Sequence, residues 1–109
     1  MKLSAKEKRI IEEFKKKIEE TFPGELASVT VFGSKARGDA TKESDLDLLV
    51  VIHSEDWKLG DRIRDLGYAL ELKYGIVLSI QIMSRKHIEK LKKVQSQFFK
   101  EVEQEGIVV

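Results

Sequence analysis

The sequence predicts an α+β fold in which a small β-sheet packs against α-helices. Three observations lead to this prediction. Apolar residues recur at helical spacing through the first 22 residues, two segments rich in β-branched and apolar residues follow, and a third such segment lies between two further helical stretches. Because these elements follow one another without repeats or linkers, we expect a single domain over residues 1–109.

The first half of the chain has clear boundaries. Ser4 and Glu7 have the spacing of a capping box, which predicts that a helix begins there, and Pro23 predicts its end. The alternating residues 27–32 predict a first strand. Residues 46–52 are almost continuously apolar, which predicts a central strand that is covered on both faces.

A helix and a strand are predicted for residues 54–83. We expect Ser54 to cap the helix, Trp57 to lie on its inward face, and Gly75 to end it. Residues 76–83 then predict a third strand. Trp57 could instead stack on a base, but its place on an amphipathic helix favours core packing, and the same holds for Phe98 and Phe99.

The last segment is expected to be helical and then to return to the sheet. Ser84 is a candidate N-cap, and the polar residues 95–97 can divide the segment into two helices. Gly106 predicts the end of the second helix, and residues 107–109 predict a short edge strand. Sheet and helices therefore alternate along the whole chain.

Composition and charge exclude several classes of protein. With 41% hydrophobic and 36% charged residues, the chain can form a core and is not a disordered tail. The formal net charge of +1 argues against a nucleic-acid-binding protein. The absence of cysteine removes disulfides and thiolate metal sites. No apolar run approaches the ~18 residues of a membrane span, and the N-terminus is charged, so we expect a cytoplasmic protein.

Asp45 and Asp47 are the first candidate site residues. Alternate residues of a strand project to the same side, so both carboxylates lie on one face at the start of an apolar strand. Their repulsion and desolvation are costly unless a cation offsets them, and Mg²⁺ takes oxygen ligands of this kind. A solvated strand end is the alternative for an isolated Asp-x-Asp, because that tripeptide is common.

The loop that precedes the two aspartates suits phosphate groups. Gly33 permits a sharp turn and a close approach to the backbone. Ser34 adds a hydroxyl where the first residues of a helical turn favour anions. Lys35 and Arg37 add positive charge, and the arginine fork matches phosphate oxygens. For Gly33-Ser34 alone, an ordinary turn would be the better interpretation.

These residues together resemble a known signature. The segment GSKARGDATKESDLDLLV, residues 33–50, is similar to the Gly-Ser, ten residues, Asp-x-Asp pattern of the DNA polymerase β-like nucleotidyltransferase superfamily. The group it most resembles is the minimal nucleotidyltransferases, which include antitoxin partners of HEPN-domain toxins. The resemblance extends loosely over most of the chain, including the ending Glu105-Gly106-Ile107.

The resemblance implies a fold, ligands and roles. The fold would be a small mixed β-sheet with helices packed mainly on one face. Gly33 and Ser34 would hold the β- and γ-phosphates of a nucleoside triphosphate, ATP in first place, and Arg37 would steady the triphosphate. Asp45 and Asp47 would be catalytic and would coordinate Mg²⁺. The family reaction is attack by a hydroxyl on the α-phosphate with release of pyrophosphate.

The sequence departs from the family pattern at one position. Active members usually carry a third carboxylate on the strand beside the Asp-x-Asp strand, but residues 76–83 contain no Asp or Glu. Ser79 is the expected occupant of that position, with Gln81 next on the same face. A hydroxyl or an amide is a weak magnesium ligand and a poor general base near neutral pH, so a complete two-metal site is in doubt.

The histidines and the lysine-rich helix do not predict a second functional site. His53 and His87 are expected on the surface, and without a His-x-x-His or Cys pattern we do not expect a zinc site. Lys90, Lys92 and Lys93 lie among glutamates, which favours a solvated helix face over a nucleic-acid patch.

Two functions from different classes follow. The first is a Mg²⁺-dependent nucleotidyltransferase that transfers a nucleoside monophosphate to a hydroxyl of a partner protein or of a small molecule. The second is a non-catalytic nucleotide-binding module or antitoxin subunit. In either case the small chain leaves the acceptor site to a HEPN-type helical partner or to self-association.

Overall fold

The computed structural model describes residues 3–33 and 45–109. Helix α1, Ala5–Thr21, leads into strand β1, Leu26–Phe32. Strand β2, Leu46–Ile52, is followed by helix α2, Trp57–Tyr74, and by strand β3, Leu78–Ser84. Two short helices, α3 at Arg85–Lys93 and α4 at Gln97–Glu105, precede the two-residue strand β4, Ile107–Val108.

The described strands form one mixed sheet in the order β3-β2-β1-β4. Strand β1 is antiparallel to both β2 and β4, whereas β2 and β3 are parallel. Parallel neighbours need a long crossover, and α2 provides it. The predicted edge strand at the end of the chain is confirmed, since Val31 pairs with Ile107 and Thr30 with Val108.

The two long helices cover one face of the sheet, and the two short helices contact part of the other. The larger core lies between the sheet and the pair α1 and α2, and Phe14 and Ile63 are among its fully buried side chains. A smaller cluster on the opposite face joins Leu49 and Val51 of β2 to Val102 of α4. The predicted α+β fold, with a small mixed sheet and helices mainly on one face, is therefore confirmed.

The first helix begins where the sequence predicts. The backbone N–H of Glu7 donates to Ser4 Oγ at 3.1 Å, and the N–H of Ser4 donates to Glu7 Oε1 at 2.8 Å, so the capping box is complete. This reciprocal pair satisfies two backbone donors that a helix start otherwise leaves without partners.

The start of α2 differs from the prediction. Asp56, not Ser54, is the N-cap, and its side chain accepts from the backbone N–H of Lys58 at 2.9 Å. Ser54 Oγ accepts instead from the N–H of Asp56 at 3.0 Å. Both residues can cap a helix, and Ser54 closes the turn that places Asp56 at the helix start.

The expected inward position of Trp57 is wrong. Its side chain is 71% exposed, at the first helical position of α2. Phe98 does pack in the smaller cluster, edge-on against Phe32 with ring centroids 5.5 Å apart. Phe99 is half-buried.

The remaining helix boundaries agree with the prediction, whereas β3 begins at Leu78, two residues later than predicted. Gly75 ends α2 in the left-handed conformation, with φ of +64°. Ser84 caps α3, Gln95 separates α3 from α4 with a positive φ of 53°, and Gly106 ends α4. Among the described residues no helix combines the length and apolar character that crossing a membrane requires.

Candidate active site

The predicted site residues divide between described and undescribed parts of the chain. Gly33 directly follows β1, Asp45 directly precedes β2, and Asp47 is the second residue of β2. Ser34 and Arg37 lie outside the described residues. The structure therefore describes Gly33, at the start of the predicted phosphate loop, and both aspartates.

Gly33 and Asp47 are in direct apposition. Strands β1 and β2 run antiparallel with Phe32 opposite Asp47, so the residue after Phe32 lies beside the aspartate. A Cβ atom on Gly33 would overlap Asp47 Oδ2 and would stand 3.1 Å from its Cγ. The backbone of Gly33 has φ of +73°, a conformation that L side chains rarely adopt. The backbone conformation thus favours glycine here, and any side chain at this position would displace the Asp47 carboxylate.

The two aspartates occupy one corner of the sheet. Between them, the N–H of Leu46 donates to the carbonyl of Val77 at 3.1 Å, which begins the ladder to β3. Residues two apart along such a strand project to the same side, about 6.5–7 Å apart. Asp45 is exposed and Asp47 is half-buried.

Ser79 occupies the strand position beside Asp47. The parallel register pairs Asp47 with Ser79 and Leu49 with Gln81, so all four side chains share one face of the sheet. Ser79 therefore lies on the neighbouring strand directly beside Asp47. That this is the position of the family's third carboxylate stays a prediction. In the described part of the chain, no three or more His, Cys, Asp or Glu residues come together as a metal site.

A well-formed groove lies elsewhere on the sheet. It has a volume of about 520 Å³ and is lined by residues that include Ser28, Val51, His53 and Arg85, at the opposite end of the β1–β2 pair. It contains none of the predicted site residues. Concavity alone would favour this groove, but the paired carboxylates and the positive-φ glycine carry the more specific chemistry.

Sequence reasoning missed the contact between Gly33 and Asp47, although both residues were singled out. The register of the β1–β2 pair would have revealed this contact. Antiparallel pairing of Phe32 with Asp47 brings the end of β1 to the start of β2. His53 and His87 are exposed, as expected.

Comparison with known proteins gives a consistent result. The nucleotidyltransferase domain family matches residues 11–107. A protein of Methanocaldococcus jannaschii that is provisionally named a protein adenylyltransferase is 36% identical over 103 residues, which is 94% of this chain and 97% of that protein. A second protein of the same organism, with the same provisional name, is 36% identical over 92% of this chain and 95% of its own length.

Two solved structures share the fold. A crystal structure of a Sulfolobus solfataricus protein, provisionally named a nucleotidyltransferase, gives a TM-score of 0.53 at 20% identity and covers 92% of this chain and 76% of that one. A crystal structure of a toxin–antitoxin with AMP-PNP gives a TM-score of 0.51 at 20% identity, over 92% and 69% of the two chains. With a family match that spans nearly the whole chain, this protein belongs to the nucleotidyltransferase domain family.

Proposed function

We propose that this chain is a magnesium-dependent nucleotidyltransferase that transfers AMP from ATP to a hydroxyl group of a partner protein. The observation that carries the proposal is the apposition of the Gly33 backbone and the Asp47 carboxylate, with the exposed Asp45 two residues before Asp47. Phosphoryl chemistry depends largely on positioning and on charge neutralisation. At this corner of the sheet, phosphate oxygens can closely approach the backbone of Gly33. The carboxylates beside that backbone can hold a cation.

The phosphate loop supplies the first part of the mechanism. Gly33 and Ser34 hold the β- and γ-phosphates, and Arg37 steadies the triphosphate by bidentate contact with its oxygens. A side chain at position 33 would overlap the Asp47 carboxylate, so the glycine keeps both groups in place at once. The loop and the first residues of β2 thus act as one phosphate-binding unit.

The two carboxylates fit a magnesium ion. Mg²⁺ prefers oxygen ligands and commonly takes one or two carboxylates together with substrate phosphates, which is the donor set that Asp45 and Asp47 offer. A bound ion would neutralise charge on the phosphates. The neutral Ser79 beside Asp47 makes a second metal position on this chain weak.

The proposed transfer of AMP forms one bond to the α-phosphorus and breaks one. The acceptor hydroxyl oxygen forms a bond to the α-phosphorus, the bond from that phosphorus to the bridging oxygen of the β-phosphate breaks, and pyrophosphate leaves with the bond electrons. The hydroxyl proton passes to water or to a nearby base. Since Ser79 is a poor base near neutral pH, deprotonation is the step that this site assists least.

The choice of AMP and of a protein acceptor is supported by the relatives. Two proteins that are 36% identical over nearly their full length are provisionally named protein adenylyltransferases. A structure with the same fold is a toxin–antitoxin with AMP-PNP. A HEPN-type helical protein is the partner we propose. We place the activity in the cytoplasm, where nucleoside triphosphates are abundant.

Ser79 favours a second candidate function. If the missing third carboxylate abolishes turnover, the chain is a nucleotide-binding antitoxin or regulatory subunit with the same fold. Binding of a triphosphate needs the loop and one cation, whereas transfer also needs an activated hydroxyl. The two candidates therefore differ in turnover and not in binding.

Transfer of label distinguishes the two candidates. The wild type is incubated with each α-labelled nucleoside triphosphate, with Mg²⁺ or Mn²⁺, and with the protein encoded by the adjacent gene. We expect label from ATP on the partner, with rates at least roughly 100-fold lower in Asp45→Asn and Asp47→Asn. Asp65→Asn removes an exposed carboxylate from α2 and should transfer normally. No transfer under any condition, with ATP binding still detected by calorimetry, selects the second candidate.

A further inference from the structure

In the part of the chain that the structure describes, strand β3 has one edge without a neighbouring strand. Among the described residues it pairs only with β2, and it is the last strand on that side of the sheet. Because the carbonyl of Val77 accepts from Leu46, the backbone groups of alternate residues after it point toward β2. The N–H and C=O groups of Leu78, Ile80 and Ile82 consequently point outward, along the open edge.

The sequence and register of β3 itself contain none of the features that usually protect an edge strand. Monomeric proteins blunt such edges with lysines, prolines or bulges. The segment 75–84 contains no charged residue and no proline, in a chain with 36% charged residues. The register with β2 is continuous from Leu78 to Ser84, without a bulge. Ile80 and Ile82 are only half-buried, so apolar side chains accompany the outward backbone groups.

Exposed aromatic residues lie above the same edge. Gly67 and Gly60 of α2 face Ile80 and Ile82, which places α2 over β3. Trp57 and Tyr68 lie on one side of α2, about 150° around the helix from Lys73, which reaches α1. They therefore project away from α1, toward the open edge.

The exposed aromatic surface is large. Trp57 is 71% and Tyr68 is 55% exposed. An aromatic side chain has about 150–250 Å² of surface, so the two leave roughly 250 Å² in water. That is about a third of the ~800 Å² that each partner buries in a standard protein interface.

We propose that β3 pairs antiparallel with β3 of a second copy of this chain, around a two-fold axis at Ile80. The outward groups of Leu78, Ile80 and Ile82 are symmetric about Ile80. In this register Ile80 pairs with itself and Leu78 pairs with Ile82 of the second copy. Each of the three pairs exchanges two backbone hydrogen bonds, which joins the two sheets into one.

The register is self-complementary in side chains and in charge. On the face of α2 the apolar residues of β3 meet one another, and on the other face Ser79 meets Gln81 of the second copy. Gly67 of α2 contacts Ile80 and therefore lies close to the two-fold axis. Two α2 residues from different copies meet across the axis when their residue numbers add up to about 134, twice 67. Arg64 then lies near Glu71 of the second copy, a pairing of opposite charges. A two-fold interface needs this match, because each surface meets itself.

The dimer would bring the second copy close to the candidate site. Ser79 is the register partner of Asp47, and neighbouring strands lie about 4.8 Å apart. Gln81 of the second copy would thus lie on the same face, two strand spacings or roughly 10 Å from Asp47. Dimerisation itself depends only on the edge and not on the proposed activity.

The oligomeric state tests the proposal. At 100 µM in light-scattering chromatography, we expect about twice the chain mass of 12.5 kDa. Ile80→Lys brings two ammonium groups to the axis and should give a monomer, with the fold checked by circular dichroism. Val108→Lys is the matched control, since Val108 is 74% exposed on the opposite edge strand, and this variant should remain a dimer.

A charge exchange tests the register. Arg64→Glu should weaken the dimer at least tenfold, and adding Glu71→Arg should restore it. In the wild type, hydrogen exchange of the Ile80 and Ile82 amides should slow as protein concentration rises. This measurement tests pairing of the β3 edges even if Ile80→Lys fails to fold. The proposal is overturned if the wild type is a monomer at every concentration. It is also overturned if Val108→Lys abolishes the dimer and Ile80→Lys keeps it. Binding of a different protein to the β3 edge would not rescue it.

Discussion

The α-carbon of Gly33 faces the carboxylate of Asp47 so closely that a Cβ atom at position 33 would displace that carboxylate. The contact follows from the antiparallel pairing of β1 and β2, in which Phe32 lies opposite Asp47. A turn residue and a strand residue 14 positions apart in sequence thereby form one surface. The position of the aspartate and the conformation of the glycine are coupled, and this coupling can be tested.

Gly33→Ala is expected to impair the protein in two ways. An L-residue at φ of +73° costs about 1–2 kcal/mol, and the new Cβ would displace the Asp47 carboxylate. Because a shift of 1 Å at a reacting group can cost about 100-fold in rate, we expect nucleotide transfer or triphosphate binding to fall by roughly that factor. Thermal unfolding and calorimetric titration with ATP measure the two effects.

Gly75→Ala separates strain from displacement. Gly75 has φ of +64°, but a Cβ there would meet nothing within 4 Å. This variant should lose about 1 kcal/mol of stability and keep full nucleotide binding. Equal losses of binding in the two variants would contradict a specific coupling of Gly33 to Asp47.

The local signals in the sequence were sufficient for most of the fold. The capping box at Ser4, the apolar residues of β2 and the glycine at position 75 each act through neighbouring residues, so one segment suffices to interpret them. Ser54 and Asp56 show the limit of such signals. Both can cap a helix, and only the turn between them decides which one does.

The candidate site depended on pairing that sequence patterns do not specify. The spacing of Asp45 and Asp47 predicts a shared face, but the approach of Gly33 and the register of Ser79 require the order and direction of three strands. Trp57 shows a further limit. Its helical spacing favoured a buried position, whereas its place at the first turn of α2 leaves it in water.

Ser79→Asp is expected to increase activity. The substitution would put a third carboxylate beside Asp47 on the same face of the sheet. A third oxygen donor should strengthen metal binding and help to deprotonate the acceptor, so we expect at least a tenfold rise in the transfer rate and a lower Mg²⁺ requirement. Without metal, repulsion from Asp47 should lower the melting temperature, and Mg²⁺ should reverse the loss.

Gln81→Asp provides the matched control for this gain. Gln81 lies on the same strand and face but pairs with Leu49, two residues farther along β2. A carboxylate there adds the same charge at a greater distance from Asp47, so the Mg²⁺ dependence should stay close to that of the wild type. A similar change in both variants would indicate a general charge effect and would contradict the role assigned to position 79.

The contact between α1 and α2 should make stability depend on pH. Lys73 Nζ donates to Glu13 Oε1 at 2.7 Å, and the Tyr74 hydroxyl donates to Glu13 Oε2 at 2.5 Å. Lys73, and then Tyr74, hold the pKa of Glu13 below its ordinary value of 4.5. The hydrogen bonds to Glu13 in turn raise the pKa of Lys73 above 10.5 and that of Tyr74 above 10.0.

The direction of each shift sets the pH range over which the contact stabilises the fold. The lowered pKa of Glu13 gives stability above pH 4.5 that is lost as the pH falls through the folded value. The raised pKa values of Lys73 and Tyr74 give stability below about pH 10 that is lost as the pH rises. The difference in melting temperature between wild type and Glu13→Gln should therefore be greatest between these limits and shrink outside both.

Glu20→Gln is the control for the pH series. Glu20 pairs with Lys16 at 3.9 Å on the exposed side of α1, and exposed pairs of this kind add little stability. Its melting temperature should follow that of the wild type at every pH. A constant difference for Glu13→Gln across the whole range would show that its effect comes from packing and not from ionisation.

Gly106 and Gly60 should respond in opposite directions to alanine. A Cβ on Gly106 would overlap the backbone carbonyl of Val102 and lie 2.7 Å from Thr30 Cγ2, so α4 or β4 must shift, which costs about 1–3 kcal/mol. A Cβ on Gly60 would stand 3.6 Å from Ile82 Cγ2, an ordinary contact, and would add about 0.5–1 kcal/mol of helix stability. At about 4–8 °C per kcal/mol, thermal unfolding resolves both changes. If Gly106→Ala melts no lower than the wild type, the last strand is not packed as closely on Thr30 as the structure places it.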